Sequence, residues 1–241
     1  MQKKNMKAYV IRIDGQEKSV ERLSESIVKT ESDIDLNIFE GTVPKTIQSH
    51  LEREFTSFDT SNYRWNWPKD PSENHMDLRT GIMKTAYLAS NQEKKEACSI
   101  SHMRLWDLCL TINEPIIIFE SDALMTRKFD VSDVEGYKLV GLNDPRGATR
   151  RAGLFHQIVA STPDVQPAPR INDPGEMSPQ GIAGNSAYYI EPDGASMLLE
   201  KVKEYGMWPN DAYMCRELFP WIRVVYPYYT KVQGTVSTTT R

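Results

Sequence analysis

Residues 96 to 119 constrain this chain more than any other stretch. From Glu96 to Ile112 (EACSISHMRLWDLCLTI) the apolar side chains fall nearly all round a helical wheel, which marks a helix buried on most sides. Asn113-Glu114-Pro115 ends it, because the residue before a proline is driven out of the helical region. Ile116 to Phe119 then gives four consecutive apolar residues, the pattern of a short strand covered by helices on both faces. That strand runs directly into Glu120-Ser121-Asp122, whose acids are costly to bury unpaired.

The rest of the chain extends the pattern. Ala8 to Ile13 (AYVIRI) reads as a first strand before the Asp14-Gly15 turn. Ser19 to Thr30 places Val20, Leu23, Ile27 and Val28 at helical spacing, with Ser19 as the candidate N-cap. Leu36 to Phe39 and Tyr137 to Leu142 read as strands, whereas residues 55 to 95 read as irregular with at most one short helix. Between Asn143 and Asn185 only Phe155 to Ala160 suggests a regular element, so this stretch is expected to be a lid or binding loop. Ala187 to Ile190 reads as a strand, and Asp193 to Tyr205 as an amphipathic helix capped by Asp193 and Gly206. A short helix over Asn210 to Leu218 and a strand over Ile222 to Tyr226 follow. Strands alternating with helices predict an α/β fold with a mainly parallel central sheet flanked by helices. With no internal repeat, low-complexity tract or linker, one domain spanning 1–241 is expected.

Bulk properties exclude several classes of function. Hydrophobic content of 39% and charged content of 26% are those of a folded soluble chain. A net charge of −4 provides no global basic field, so nucleic-acid binding would rest on a local patch. The three cysteines, Cys98, Cys109 and Cys215, form no CxxC pair, which argues against a disulfide framework or a zinc site and for a reducing compartment. The four histidines are scattered without a metal-binding pairing. The apolar part of MQKKNMKAYVIRI is too short for a signal-peptide core, and no stretch is long enough to span a bilayer, so a cytoplasmic location is expected.

The acids at 120 and 122 stand where open α/β sheets bind ligands, just beyond a strand's carboxyl end. AYVIRI ends at Asp14 and YKLVGL at Asn143-Asp144, so three strands are expected to bring oxygen donors to one edge. Two carboxylates one residue apart suit Mg²⁺ or Mn²⁺, which prefer oxygen and keep positions open for phosphate. On the residues alone a second reading stands beside this one: a polar turn after a strand, with Asp122 capping the next segment.

EACSISHMRLW, IIIFESDA, GNSAYYIEPDGASMLL and WPNDAYM, in that order, resemble glycosyltransferase family 25, the lipopolysaccharide and collagen sugar-transferase family. Its pattern is a Glu-x-x-Cys-x-x-Ser-His helix, a hydrophobic strand ending in Glu-Asp-Asp-Ala, and a later Tyr-x-Ile-x-x-x-Gly-Ala segment. The resemblance covers most of 8–237 except about 55–95 and 144–181. Two departures stand out: Ser121 replaces the middle acid of the triplet, and Arg12 stands where the family usually has Asn.

The resemblance implies a Rossmann-like fold of GT-A type, a nucleotide-diphospho-sugar donor, usually a UDP-sugar, and Mn²⁺ or Mg²⁺ held by Asp122 and Glu120. It implies donor contacts at Ile11, Arg12, Asp14, Arg22, Ser101, His102, Glu120, Ser121 and Asp122, with Asp211 as the base of an inverting transfer. Two bland readings remain open: Asp211 as a helix cap, and His102 as a hydrogen-bonded structural residue. Asn185, Ser186, Arg150 and Trp65 are candidate acceptor contacts. Tyr63, Trp65 and Trp67 would either stack on a sugar or form a hydrophobic cluster under a loop. Arg146, Arg150 and Arg151 would either clamp a polyanion or be a solvated loop. The expected acceptor is a bacterial surface glycan such as lipopolysaccharide. The alternatives are hydroxymethylated bases in DNA, acted on by a virus-encoded enzyme, and a non-catalytic nucleotide-sugar-binding module.

Overall fold

The computed structural model describes residues 5–70, 72–86, 92–146, 151–171, 179, 181–182 and 184–234. In chain order its elements are β1 (Met6–Arg12), α1 (Glu17–Lys29), β2 (Ile34–Glu40), α2 (Ile47–Arg53), β3 (Asn74–Asp77), β4 (Ile82–Thr85), α3 (Gln92–Ile112), β5 (Ile116–Glu120), β6 (Ala123–Met125), β7 (Leu139–Gly141), α4 (Ala152–Ala160), β8 (Asp164–Pro167), β9 (Ala187–Ile190), α5 (Pro192–Tyr205), α6 (Asn210–Tyr213), β10 (Arg223–Tyr226) and β11 (Thr230–Val232). Seven strands form the central sheet in the order β2-β1-β5-β9-β7-β10-β8. β2, β1, β5, β7 and β10 share one direction, while β9 and β8 run against it.

The fully apolar β5 is explained by what covers it. Ile116 and Ile118 belong to the larger core cluster with α3 and α5, whereas Ile117 and Phe119 belong to the second cluster with α1, β6 and Tyr229. Alternate side chains point to opposite faces of a strand, so a strand covered on both faces must be apolar throughout. By the same alternation Glu120 shares the α3 face with Ile118, and Tyr188 pairs with Ile118 from β9.

α3 is buried on most sides, as its all-round apolar pattern predicts, and its buried polar residues hold the neighbouring loops. Asp107 accepts from the backbone N–H groups of Thr56, Ser57 and Phe58 at 2.8, 2.8 and 2.7 Å. Arg104 donates to the Glu40 carbonyl and pairs with Glu54. Ser99 accepts from the Asn210 N–H at 3.1 Å. A buried polar group without a partner costs about 1–3 kcal/mol, so this helix fixes loops wherever it departs from apolar composition.

Several local expectations are corrected. α1 starts at Glu17 with Gln16 at the cap position, so Ser19 lies inside the helix, where its N–H bonds to the Gln16 carbonyl. α5 starts at Pro192 with Glu191 at the cap, not Asp193, because proline suits the first helical position. The helix expected over 210–218 stops at Tyr213. Residues 55–95 contain the β3–β4 hairpin, and 143–185 contains α4 and β8, the latter an edge strand of the sheet. β6 and β11 pair in a separate ribbon. No helix among the described residues is long and apolar enough to cross a membrane.

Candidate functional site

β5 delivers Glu120 to the carboxyl edge of the sheet. Because β9 runs antiparallel to β5, its beginning, Asn185-Ser186, arrives at the same edge, and the Glu120 N–H donates to the Ser186 carbonyl at 2.8 Å. The Asn185 Nδ2 donates to the Asn210 carbonyl at 3.1 Å and ties in the 209–211 segment carrying Asp211. Gly181 packs against that segment: a Cβ there would overlap the Asp211 carbonyl oxygen.

A buried relay stands behind Glu120. The Trp106 Nε1 donates to the Tyr188 hydroxyl at 2.9 Å, that oxygen lies 2.8 Å from His102 Nδ1, and His102 Nε2 lies 3.3 Å from Glu120 Oε1. Indole is a donor only, so the Tyr188 oxygen accepts from Trp106, and His102 Nε2 donates to Glu120. His102 is 0% exposed and the Glu120 side chain 33%. Burial pushes the Glu120 pKa up, but the His102 hydrogen bond and charge, with Lys95 and Asn210, hold it below the usual value.

Asp122 and Asp211 are held in the opposite sense. Burial, then the charges of Glu120 and Asp211, push Asp122 up to about 6, against a backbone hydrogen bond that lowers it. Burial and Glu120 likewise raise Asp211, against Lys95 and His102. Asp211 is nevertheless exposed to solvent. Glu120 and Asp122 are half-buried and Asp211 exposed, so solvent reaches the edge at which these acids stand.

Among the described residues, four buried polar atoms around these acids lack a protein hydrogen-bond partner: Asp122 Oδ1, Asn185 Oδ1, Ser186 Oγ and Asn210 Nδ2. The Asn210 amide lowers the Glu120 pKa. Buried polar atoms are nearly always paired, so these have capacity for water or a polar ligand.

Oxygen donors at Glu120 and Asp122 fit a hard divalent cation. Cys98, His102 and Glu120 also bring ligand atoms within 4.8 Å of one another. Burial and the surrounding acids raise the Cys98 thiol well above its ordinary pKa, and both His102 nitrogens are engaged in hydrogen bonds.

The other expected site residues fall in several places. Ile11 sits beside Glu120 in the β1–β5 register. Arg12 forms an ion pair with Glu40, and Asp14 and Arg22 are exposed, so no described contact joins any of these three to the acid cluster. Ser101 accepts from the Thr42 N–H at 2.8 Å and donates to the Ala97 carbonyl at 3.0 Å, which uses its hydroxyl structurally. Ser121 is buried in the turn. Asp144 is committed to Arg146, and Asn143 bonds to its own loop and to Thr230, so the expected convergence of three acidic strand ends reduces to β5. Arg151 donates to the Ile171 carbonyl at 2.7 Å, and Arg150 lies outside the described residues. Trp65 and Tyr63 pack against the core and Trp67 lies within it, as in the cluster-under-a-loop reading. The cap position of α6 is Pro209, so Asp211 is not the helix cap.

The sequence reading missed Lys95 and Gln233. Lys95, Cys98 and His102 recur at helical spacing, a signal that pointed to one face of α3. Gln233 gave no signal: its N–H donates to the Asp122 carbonyl at 2.8 Å, and its Nε2 lies 2.9, 3.2 and 3.0 Å from the carbonyls of Ser19, Ser121 and Ala123.

No curated protein sequence matches the chain. Among solved structures, the galactosyltransferase LgtC in complex with donor and acceptor sugar analogs aligns at 12% identity and TM-score 0.40, over 91% of this chain and 73% of its own. The bifunctional glycosyltransferase WbbM aligns at 12% identity and TM-score 0.45, over 93% and 39%. The glycosyltransferase GlyE of Streptococcus pneumoniae TIGR4 aligns at 8% identity and TM-score 0.42, over 93% and 46%. The chain thus spans less than half the length of these last two. The profile of glycosyltransferase family 25 (LPS biosynthesis protein) matches residues 5–135, more than half of the chain and the part that carries α3, β5 and the Glu120-Asp122 turn, and the protein therefore belongs to that family.

Proposed function

We propose that the protein transfers a sugar, with inversion, from a nucleotide-diphospho-sugar of the UDP-sugar class to a hydroxyl of a surface glycan such as lipopolysaccharide. The observation that carries this reading is the gathering of Glu120, Asp122 and Asp211 close enough to raise one another's charge cost, with orphaned polar atoms at Asp122, Asn185, Ser186 and Asn210. Like charges are brought together at a cost unless a cation and a polar ligand complete the site. Asp122 and Glu120 would hold Mn²⁺ or Mg²⁺, which when bound neutralises the charge developing on a leaving diphosphate.

The chain's own groups supply the remaining chemistry. The relay through His102 keeps Glu120 ionised and fixed in direction. Asp211, open to solvent, takes the proton of the attacking hydroxyl, and its raised pKa makes it a stronger base than an ordinary carboxylate. Asn185 and Ser186 offer an amide and a hydroxyl to the sugar. The test is hydrolysis and transfer with a panel of UDP-sugars and Mn²⁺, with the product anomer read by NMR. Asp122→Asn and Asp211→Asn should each lower turnover by about 10²-fold or more. Absence of turnover with every donor, or full activity in Asp122→Asn, would overturn the reading.

A further inference from the structure

The carboxyl edge of the sheet holds a second cluster that this chemistry leaves unused. β7 ends there at Gly141, just ahead of Asn143-Asp144, and β10 at Tyr226, two and three strands along from β5. His156, from α4, has its ring centroid 6.2 Å from that of Tyr226 and 5.8 Å from that of Tyr228, and the two tyrosines meet edge to face at 5.3 Å. His156 Nδ1 lies 3.3 Å from the Tyr228 hydroxyl. Beside the rings, Asp144 grips Arg146: Nε lies 3.0 and 3.1 Å from its two oxygens, and Nη2 2.6 Å from one of them.

We propose that Tyr226, His156 and the Asp144–Arg146 fork form the binding subsite for a neutral sugar of the acceptor, an inference that rests on the glycosyl-transfer reading. A sugar ring presents C–H groups on its faces and hydroxyls at its rim. Half-buried aromatic rings offer surface to the first, and a carboxylate with a guanidinium offers acceptors and donors to the second. The support is rigid, since Tyr228 is part of the main core and Tyr226 packs against it. Half-buried Tyr226 and His156, with the exposed Arg146, keep a face toward solvent.

Charge selects the class of ligand. Arg146 is already matched to Asp144 by a two-point fork, so the pair offers little net charge to a phosphate and favours a hydroxyl-rich neutral partner. Placement gives it a purpose. Adjacent strands lie about 4.8 Å apart, so β10 ends roughly 14 Å along the edge from β5. A short oligosaccharide lying along the edge would join the two sites, with its reactive hydroxyl toward Asp211.

Saturation-transfer NMR on the full chain without donor tests this, with lactose and maltotriose as probes and glucose 6-phosphate as a contrast. The neutral sugars should bind with no preference for the phosphate. Tyr226→Ala and Arg146→Ala should weaken binding by at least about tenfold, Tyr226→Phe should retain it, and UDP-sugar hydrolysis should be unchanged in all three. Arg146 is exposed, so Arg146→Ala carries the test should Tyr226→Ala fail to fold. Equal binding by wild type and Arg146→Ala, or no binding of either neutral sugar to wild type, overturns the proposal. Sugar binding without donor turnover would instead refute the transfer reading and leave this one standing.

Discussion

Asp122 carries a charge that the folded chain does little to stabilise. Its surroundings oppose its charge, since burial, Glu120 and Asp211 all push its pKa upward. Replacing it by Asn removes one charge from that group and should stabilise the cation-free protein by about 1 kcal/mol, read as a higher Tm, while abolishing turnover. Tyr188 carries the opposite expectation. Tyr188→Phe would leave the Trp106 N–H and His102 Nδ1 unpaired in the core, costing about 1–3 kcal/mol in urea denaturation. It should also lower donor hydrolysis, because Glu120 loses the group that orients its partner. Glu120 and Asp122 were legible in the sequence because a fully apolar strand ended on them. Lys95 was less so, since a lysine at the start of a helix reads as a solvated charge until the packing of α3 is known. The Arg12–Glu40 ion pair was hidden for a related reason: a strand end shows where a residue lies, not which partner it meets.

At the scale of elements, the β3–β4 hairpin is held by a buried ion pair. Lys84 Nζ lies 3.1 Å from Asp77 Oδ2 and also bonds to the carbonyl and side-chain oxygens of Asn66 at 3.0 and 2.8 Å. Burial raises the Asp77 pKa, but Lys84 and the N–H groups of Arg79 and Thr80 more than offset it, so the folded value is depressed. Lys84 is lowered too, burial of its ammonium outweighing Asp77, so the pair as a whole is near break-even and the damage comes from removing one partner. Lys84→Met should therefore destabilise by about 3 kcal/mol, and a second change, Asp77→Leu, should recover much of it. Because Asp77 is depressed on folding, its contribution is complete above about 3.9 and lost as pH falls through its lower folded value, which an acid titration of Lys84-bearing and Lys84→Met proteins would show. None of this was readable from the sequence, where residues 55–95 lack periodicity. A hairpin whose side chains serve an ion pair rather than an apolar face leaves no alternating pattern. The antiparallel sense of β9 was also hidden, since AYYI is equally apolar in either direction.

For the molecule as a whole, the sheet's two covered faces were legible because α3, β5 and α5 follow helical and strand periods that only a layered α/β arrangement satisfies. What ties distant parts to the site was not. Gln233 pins the turn carrying Asp122 from the far end of the described chain, through contacts separated by more than a hundred residues. Gln233→Ala should lower the melting temperature of the cation-free protein, at a cost of about 1 kcal/mol, and weaken Mn²⁺ binding by roughly tenfold, as loosened positioning does, measured by the Mn²⁺-induced rise in Tm.

The reversed course of β9 has one more consequence. The polypeptide enters the sheet at its working edge through 184–186, so growth or shrinkage of the stretch before it is absorbed outside the hydrogen-bonded ladder. Insertions before residue 184 would therefore lengthen the chain without shifting the register that holds Glu120 beside Ser186.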